Sequence, residues 1–274
     1  MLKERVITAT ILLLLFLAAL FMLPELGWAL LVAVMIMQGT SEWTRLAEMR
    51  GRSARLYWVV TLLALLGMLW MSTNLAARPH LVMQLVIYGL AVVFWVLLVP
   101  AWLMVGWKPR NPWLMGLVGW LVLLPTGLAM LDLRAENPWW LLGVMGLVWV
   151  ADISAYFAGR KFGKNKLAPS ISPGKTWEGV AGALLGVALY VVVVVLVSGS
   201  SRHYGLLPQA IVAAWWWTGL AIIGDLFESA VKRQAGVKDS GALLPGHGGL
   251  LDRIDALTPT LPLAALALVM QRLV

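Results

Sequence analysis

The sequence has no cysteine, and only three of its 274 residues are histidine. Disulfides, thiolate nucleophiles and thiolate metal sites are thereby excluded, and the redox state of the compartment leaves no mark. Charge is scarce as well. Asp, Glu, Lys and Arg together make up 12% of the chain, against roughly 25% in a soluble domain. That is too little to cover a water-facing surface. Present instead are apolar residues, 61% of the total, at a mean hydropathy of +0.85. They fall in long runs, and about 20 apolar residues suffice to cross a bilayer core roughly 30 Å thick. Backbone inside lipid must satisfy its own hydrogen bonds, so runs of this length imply helices.

Nine spans follow, at about 6–23, 26–40, 57–75, 81–105, 113–131, 139–158, 177–197, 209–228 and 256–273. The first is an uncleaved span, since no small-residue cleavage site follows it. Pro100 should kink or end the fourth. Many of the 16 tryptophans lie near span ends, such as Trp113, Trp139 and Trp140, as in an interfacial aromatic belt. With the N-terminus cytoplasmic, 17 of the 21 Lys and Arg residues fall in cytoplasmic segments; Arg78, Arg134, Arg202 and Arg272 fall outside. The asymmetry supports both the orientation and the odd span number. The net charge of +8 therefore reads as loops facing anionic lipid, not as a nucleic-acid surface. The expected fold is all-α: one polytopic integral membrane domain over 1–274, with a hydrophobic scaffold half, 1–138, and a functional half, 139–274. The first five spans carry almost no chemistry.

Polar residues gather after residue 150 in three clusters. The first runs from Asp152 to Lys164, and Asp152 lies inside the sixth span, about two turns from its cytoplasmic end. An acid within a membrane helix is costly and marks function by default, the alternative being a packing ion pair. The second is Ser172-Pro-Gly-Lys175-Thr176-Trp-Glu-Gly179. It is no P-loop, because the position needing the first glycine is Pro169. A Ser/Gly/Lys/Thr loop entering a helix still offers amides, hydroxyls and a cation to phosphate. A plain capped loop would read the same way.

The third cluster spans Gly224 to Asp255. On one helix, Asp225, Ser229 and Lys232 share a face at i, i+4 and i+7, with Arg233 beside them. Asp252 and Asp255, at i and i+3, share another. Gly246, Gly248 and Gly249 allow close backbone approach to a ligand around His247. Nine charged residues here could pair with one another in a solvated loop. Several must nevertheless sit at the membrane boundary. Carboxylates without cysteine suit a hard cation such as Mg2+, and Mg2+ beside Lys and Arg suits phosphoryl or nucleotidyl transfer.

The stretch from Ser229 through Lys232-Arg233, Lys238-Asp239 and His247 to Asp252-Arg253-Ile-Asp255 resembles the signature of the phosphatidate cytidylyltransferase (CDP-diacylglycerol synthase) family. Asp152 to Lys164 and the Ser172–Gly179 loop are similar to further stretches of that family, with Ile153 a mild departure. The resemblance implies that CTP and phosphatidic acid give CDP-diacylglycerol and pyrophosphate. It also implies Mg2+, with a monovalent cation such as K+ as an optional second ion, and a homodimer in a bacterial inner membrane. Carried over by position, Asp225 and Asp252 would hold metal, and Lys232, Arg233, Lys238 and Arg253 would face phosphates. Ser229, Asp239, His247 and Asp255 would complete the pocket, with Asp152, Lys175 and Thr176 at the nucleotide.

Such a site must be polar and must lie where a lipid phosphate meets a cytosolic nucleotide. The lipid phosphate is already anionic, so in-line attack on the α-phosphorus of CTP needs no strong general base. The rivals are a CTP-dependent polyprenol or phytol kinase, and a transporter. A transporter would place its site near the midplane, often between repeated halves. This chain has no repeat, and its acids gather at one surface.

Overall fold

Each of the nine apolar runs forms a helix in the computed structural model, which describes residues 2–74, 78–198, 205–243 and 248–273. In order these are α1 (Leu2–Met22), α2 (Glu25–Leu46), α3 (Arg52–Asn74), α4 (Arg78–Val93) continued through α5 (Val99–Val105), α6 (Pro112–Glu136), α7 (Pro138–Phe162), α8 (Trp177–Val197), α9 (Leu207–Gln234) and α11 (Leu257–Gln271). A four-residue helix, α10 (Leu251–Ile254), precedes the last. Among the described residues, six helices are long and apolar enough to cross a membrane: Arg52–Trp70, Leu81–Val105, Pro112–Glu136, Pro138–Phe162, Trp177–Val197 and Leu207–Gln234. Thr10–Met22 and Leu257–Gln271 are shorter apolar helices. The chain is thus an all-α, multi-pass membrane protein.

The departures from the sequence reading have local causes. Pro100 neither ends the fourth run nor breaks it. A π-helical turn, Phe94–Leu98, precedes it, and the helix continues to Val105. The wider turn makes room for the proline ring and for the carbonyl that proline cannot donate to. The second helix runs six residues past its expected end, to Leu46. Its last turns are polar, yet Thr40, Ser41 and Thr44 return their hydroxyls to backbone carbonyls three or four residues back. Helix can therefore persist there inside the protein. The loop after α7 holds a two-stranded antiparallel hairpin, β1 (Lys166–Ala168) and β2 (Ser172–Thr176), with Lys166 opposite Thr176.

α6 is the central post. Indoles and phenols from neighbouring helices donate to its carbonyls: Trp28 Nε1 to Met130 O (3.2 Å), Trp43 Nε1 to Met115 O (2.7 Å) and Tyr57 Oη to Gly116 O (3.0 Å). Each buried ring thus satisfies its polar atom while filling space. α7 and α8 pack closely because Gly182 and Gly186 face Ala158 and Ser154, where a Cβ would collide. The opposite face of α8 is bare hydrocarbon, with Leu185 71% exposed. That is the expected surface toward lipid acyl chains. At one end of the bundle, Arg134 Nε donates to Leu20 O (2.8 Å) and Arg272 pairs with Glu136. The other end collects the C-terminal ends of α2, α7 and α9, the hairpin, the start of α8 and α10. All three polar clusters arrive there.

Candidate active site

A cavity of about 490 Å³ opens at that end between α7, the hairpin, α8 and α9. Asp152, Tyr156 and Arg160 line it from α7, Ser172, Lys175 and Thr176 from β2, and Asp225 from α9. Asp152 stands ten residues before the end of α7, about 15 Å below it at helical rise. Asp152 thus lies well inside the apolar helix Pro138–Phe162, and the cavity reaches down beside it. Lys175 Nζ reaches Asp225 Oδ2 at 2.6 Å and ties the hairpin to α9. Thr176 caps α8, its hydroxyl accepting from Gly179 N at 3.1 Å. This presents the positive end of the α8 dipole to the cavity. Arg160 Nη1 donates to Tyr156 Oη (3.1 Å) at the rim.

A second layer lies behind Asp225. Ser229 Oγ donates to Asp225 Oδ1 at 3.4 Å, as the shared helix face required. Lys232, only 8% exposed, places Nζ 2.5 Å from Asp252 Oδ1 and 3.1 Å from Glu228 Oε1. Asp252 Oδ2 accepts from the Ser240 amide (2.9 Å), the Ser240 hydroxyl (3.0 Å) and the Gly249 amide (2.8 Å). Burial alone would raise the Asp252 carboxyl, but the Lys232 ammonium and these amides outweigh it and hold it below the usual carboxylate range. Asp255 closes α10 and accepts from Ala256 N (2.8 Å). With Glu228 it lines a small cavity beneath Trp43 and Trp95.

The structure thus brings Asp152, Lys175, Thr176 and Asp225 together around one cavity, with Ser229, Lys232, Asp252 and Asp255 directly behind it. Arg233 does not line the cavity. Its guanidinium donates to Ile171 O (3.4 Å) and Val237 O (3.2 Å), binding the hairpin to the end of α9. Lys238, Asp239 and Arg253 are exposed on the loop side and do not line the cavity. His247 lies outside the described residues.

Sequence reasoning missed Glu42. It lies in the half read as scaffold, yet it accepts from Ser240 Oγ (2.8 Å) and from the amides of Leu250 and Leu251 (2.9 Å each). The signal was Gln38-x-x-x-Glu42, which lies on one helical face once the second span is extended past residue 40. Glu228 was passed over as an ordinary member of its cluster.

The donor chemistry bears on the implied metal. Asp152 and Asp225 offer hard oxygen donors to the cavity, which suits Mg2+, an ion held by one or two carboxylates and otherwise by water and substrate phosphate. Among the described residues, no three acidic or histidine side chains converge as a protein-only cage.

Fold and site define a multi-pass membrane protein with a carboxylate- and lysine-lined cavity at one end of its bundle. The model of the Cytidylyltransferase family matches residues 3–271, and the chain belongs to that family. It is 42% identical over 268 residues to a phosphatidate cytidylyltransferase of Pseudomonas aeruginosa, covering 97% of this chain and 96% of that one. It is 38% identical over 286 residues to one of Haemophilus influenzae, covering 96% of each. A Thermotoga maritima phosphatidate cytidylyltransferase is 44% identical over 139 residues, 48% of this chain and 49% of its own length.

Proposed function

We propose that the chain transfers CMP from CTP to phosphatidate, giving CDP-diacylglycerol and pyrophosphate. One observation carries this reading: Asp152, Lys175, Thr176 and Asp225 line a single cavity recessed among membrane-spanning helices. A lipid phosphate can enter it from the bilayer side and a nucleotide from the aqueous end. Lys175 and the N-terminus of α8 bind triphosphate oxygens and orient the α-phosphorus. Lys232, fixed by Glu228 and Asp252, offsets negative charge as the lipid phosphate approaches. Asp225 and Asp252 would hold Mg2+, which supplies neutralisation of the phosphoryl oxygens when bound. A carboxylate has about four acceptor positions, and four donors already fill those of Asp252, so an ion bound there would displace one of them. No side chain has to remove a proton, because the attacking phosphate is already anionic.

The charge asymmetry of the loops supports a cytoplasmic site in a bacterial inner membrane, and a homodimer follows from the family resemblance. The test is purified protein with phosphatidate, Mg2+ and CTP labelled in turn at the α- and γ-phosphates. Label from the α-position in lipid, with one pyrophosphate released per turnover, is the expected result. Lipid labelled from the γ-position, with CDP released, would establish a lipid kinase instead. A C-terminal reporter should read out on the side opposite the site.

A further inference from the structure

We propose that Glu42 is the positioning residue for Asp252, so that a helix from the scaffold half sets the geometry of the catalytic layer. This rests on the reading of Asp252 given above. The Glu42 side chain is fully buried, at 0% exposure. A buried carboxylate persists only if its lone pairs are filled, and here four donors fill them. Leu250 N and Gln38 Nε2 (3.0 Å) reach Oε1, while Leu251 N and Ser240 Oγ reach Oε2. Three of these donors lie some 200 positions away in sequence, on the two strands of the loop that flanks Asp252.

The arrangement is a relay through one hydroxyl. Ser240 Oγ lies 2.8 Å from Glu42 Oε2 and 3.0 Å from Asp252 Oδ2. A hydroxyl carries one proton and can serve both acceptors only by sharing it. The loop approaches so closely that a Cβ on Gly249 would collide with both Ser240 Oγ and Glu42 Oε2. Glu42 therefore fixes the height of Ser240 and of the 249–251 backbone. These in turn donate to Asp252 and aim its other oxygen at Lys232. Moving Glu42 shifts Asp252 without touching substrate. Gln38, one turn earlier, donates to the same Glu42 oxygen as the Leu250 amide.

The test is Glu42→Gln, of equal size but with a donor where an acceptor stood. The expected result is a kcat lowered about tenfold or more, and an Mg2+ concentration for half-maximal rate raised at least about threefold. Amide hydrogen exchange in segment 248–254 should be faster, and the thermal transition in detergent should fall as buried donors lose their acceptor. Ser240→Ala, which removes only the linking hydroxyl, should move kcat, Mg2+ dependence and exchange the same way. The double variant should fall well short of the summed effects. If Glu42→Gln does not accumulate folded, Glu42→Asp and Ser240→Ala carry the comparison. Wild-type kcat, Mg2+ dependence and exchange in the folded variants would overturn the proposal. Folded Asp252→Asn separates the two failures. If that variant is active, the site reading fails; if it is inactive while the Glu42 and Ser240 variants match wild type, only the positioning role fails.

Discussion

Lys175 on the hairpin and Asp225 on α9 meet at 2.6 Å across the mouth of the cavity. Their side chains are 22% and 32% exposed, so the pair stays open to substrate. Each group then has a second partner available, a triphosphate for Lys175 and a divalent ion for Asp225. Replacing Lys175 with Met should raise KM for CTP about tenfold with a smaller fall in kcat, since it removes binding common to ground and transition states. Replacing Asp225 with Asn should lower kcat about a hundredfold or more and leave the thermal transition nearly unchanged. Steady-state pyrophosphate release with each variant checks both.

Lys232 sits between two carboxylates with unequal support. Asp252 is held by Lys232 and by donors on the 240 and 249 segments. Glu228 has Lys232 as its one partner among the described residues, at 3.1 Å. Removing Lys232 leaves the Asp252 carboxylate without its cation and Glu228 without its one partner, so Lys232→Met should cost about 3–5 kcal/mol. Glu228→Gln removes a charge that is poorly paired, and should change stability by about 1 kcal/mol or less. Thermal unfolding in one detergent ranks the two. Equal losses would mean that Glu228 is better supported than its geometry indicates.

The spans were legible because lipid allows few solutions. Long apolar runs must be helical, and the alternation of Lys and Arg placed their ends. Asp225, Ser229 and Lys232 were legible because helical periodicity alone puts them on one face. Glu42 was not, because three of its four partners are some 200 residues away, two of them backbone amides, and its one local partner, Gln38, shares its face only once the second helix extends past residue 40. The same holds for Arg233. Its charge suggested phosphate, but the hairpin, invisible as a short polar segment, brings the carbonyl of Ile171 within its reach. Pro100 announced a disturbance of its helix but not the form it takes, since a π turn leaves no signature of composition.

The two glycines before α10 should respond differently from the glycine of the hairpin. Gly248 has φ of +82°, and a Cβ there would stand 2.7 Å from Asp252 Oδ2. At Gly249 a Cβ would collide with Ser240 and Glu42. Nothing lies within 4 Å of the corresponding position at Gly174. Gly249→Ala should therefore abolish turnover and lower stability by about 2 kcal/mol or more, as overpacked or strained sites do. Gly248→Ala should do so to a lesser degree, and Gly174→Ala should fold like wild type. Expression, thermal unfolding and turnover of the three alanine variants test the order.

Acid should act on this site late. The Asp252 carboxyl is held below its usual range, since burial, which opposes ionisation, is outweighed by Lys232 and by the Gly249 and Ser240 amides. A carboxyl depressed in the folded protein stabilises fully above its unfolded value, near 3.9. That contribution is lost as pH falls through the folded value. The stability gap between wild type and Asp252→Asn should accordingly stay constant from about pH 8 to pH 5 and shrink only below about pH 4. Any loss of turnover between pH 7 and pH 5 then belongs to another group, and Asp252→Asn should not alter that limb in its residual activity. Thermal unfolding of both proteins across this range is the measurement. A gap that closes above pH 5 would show that Lys232 and the two amides do not hold Asp252 ionised.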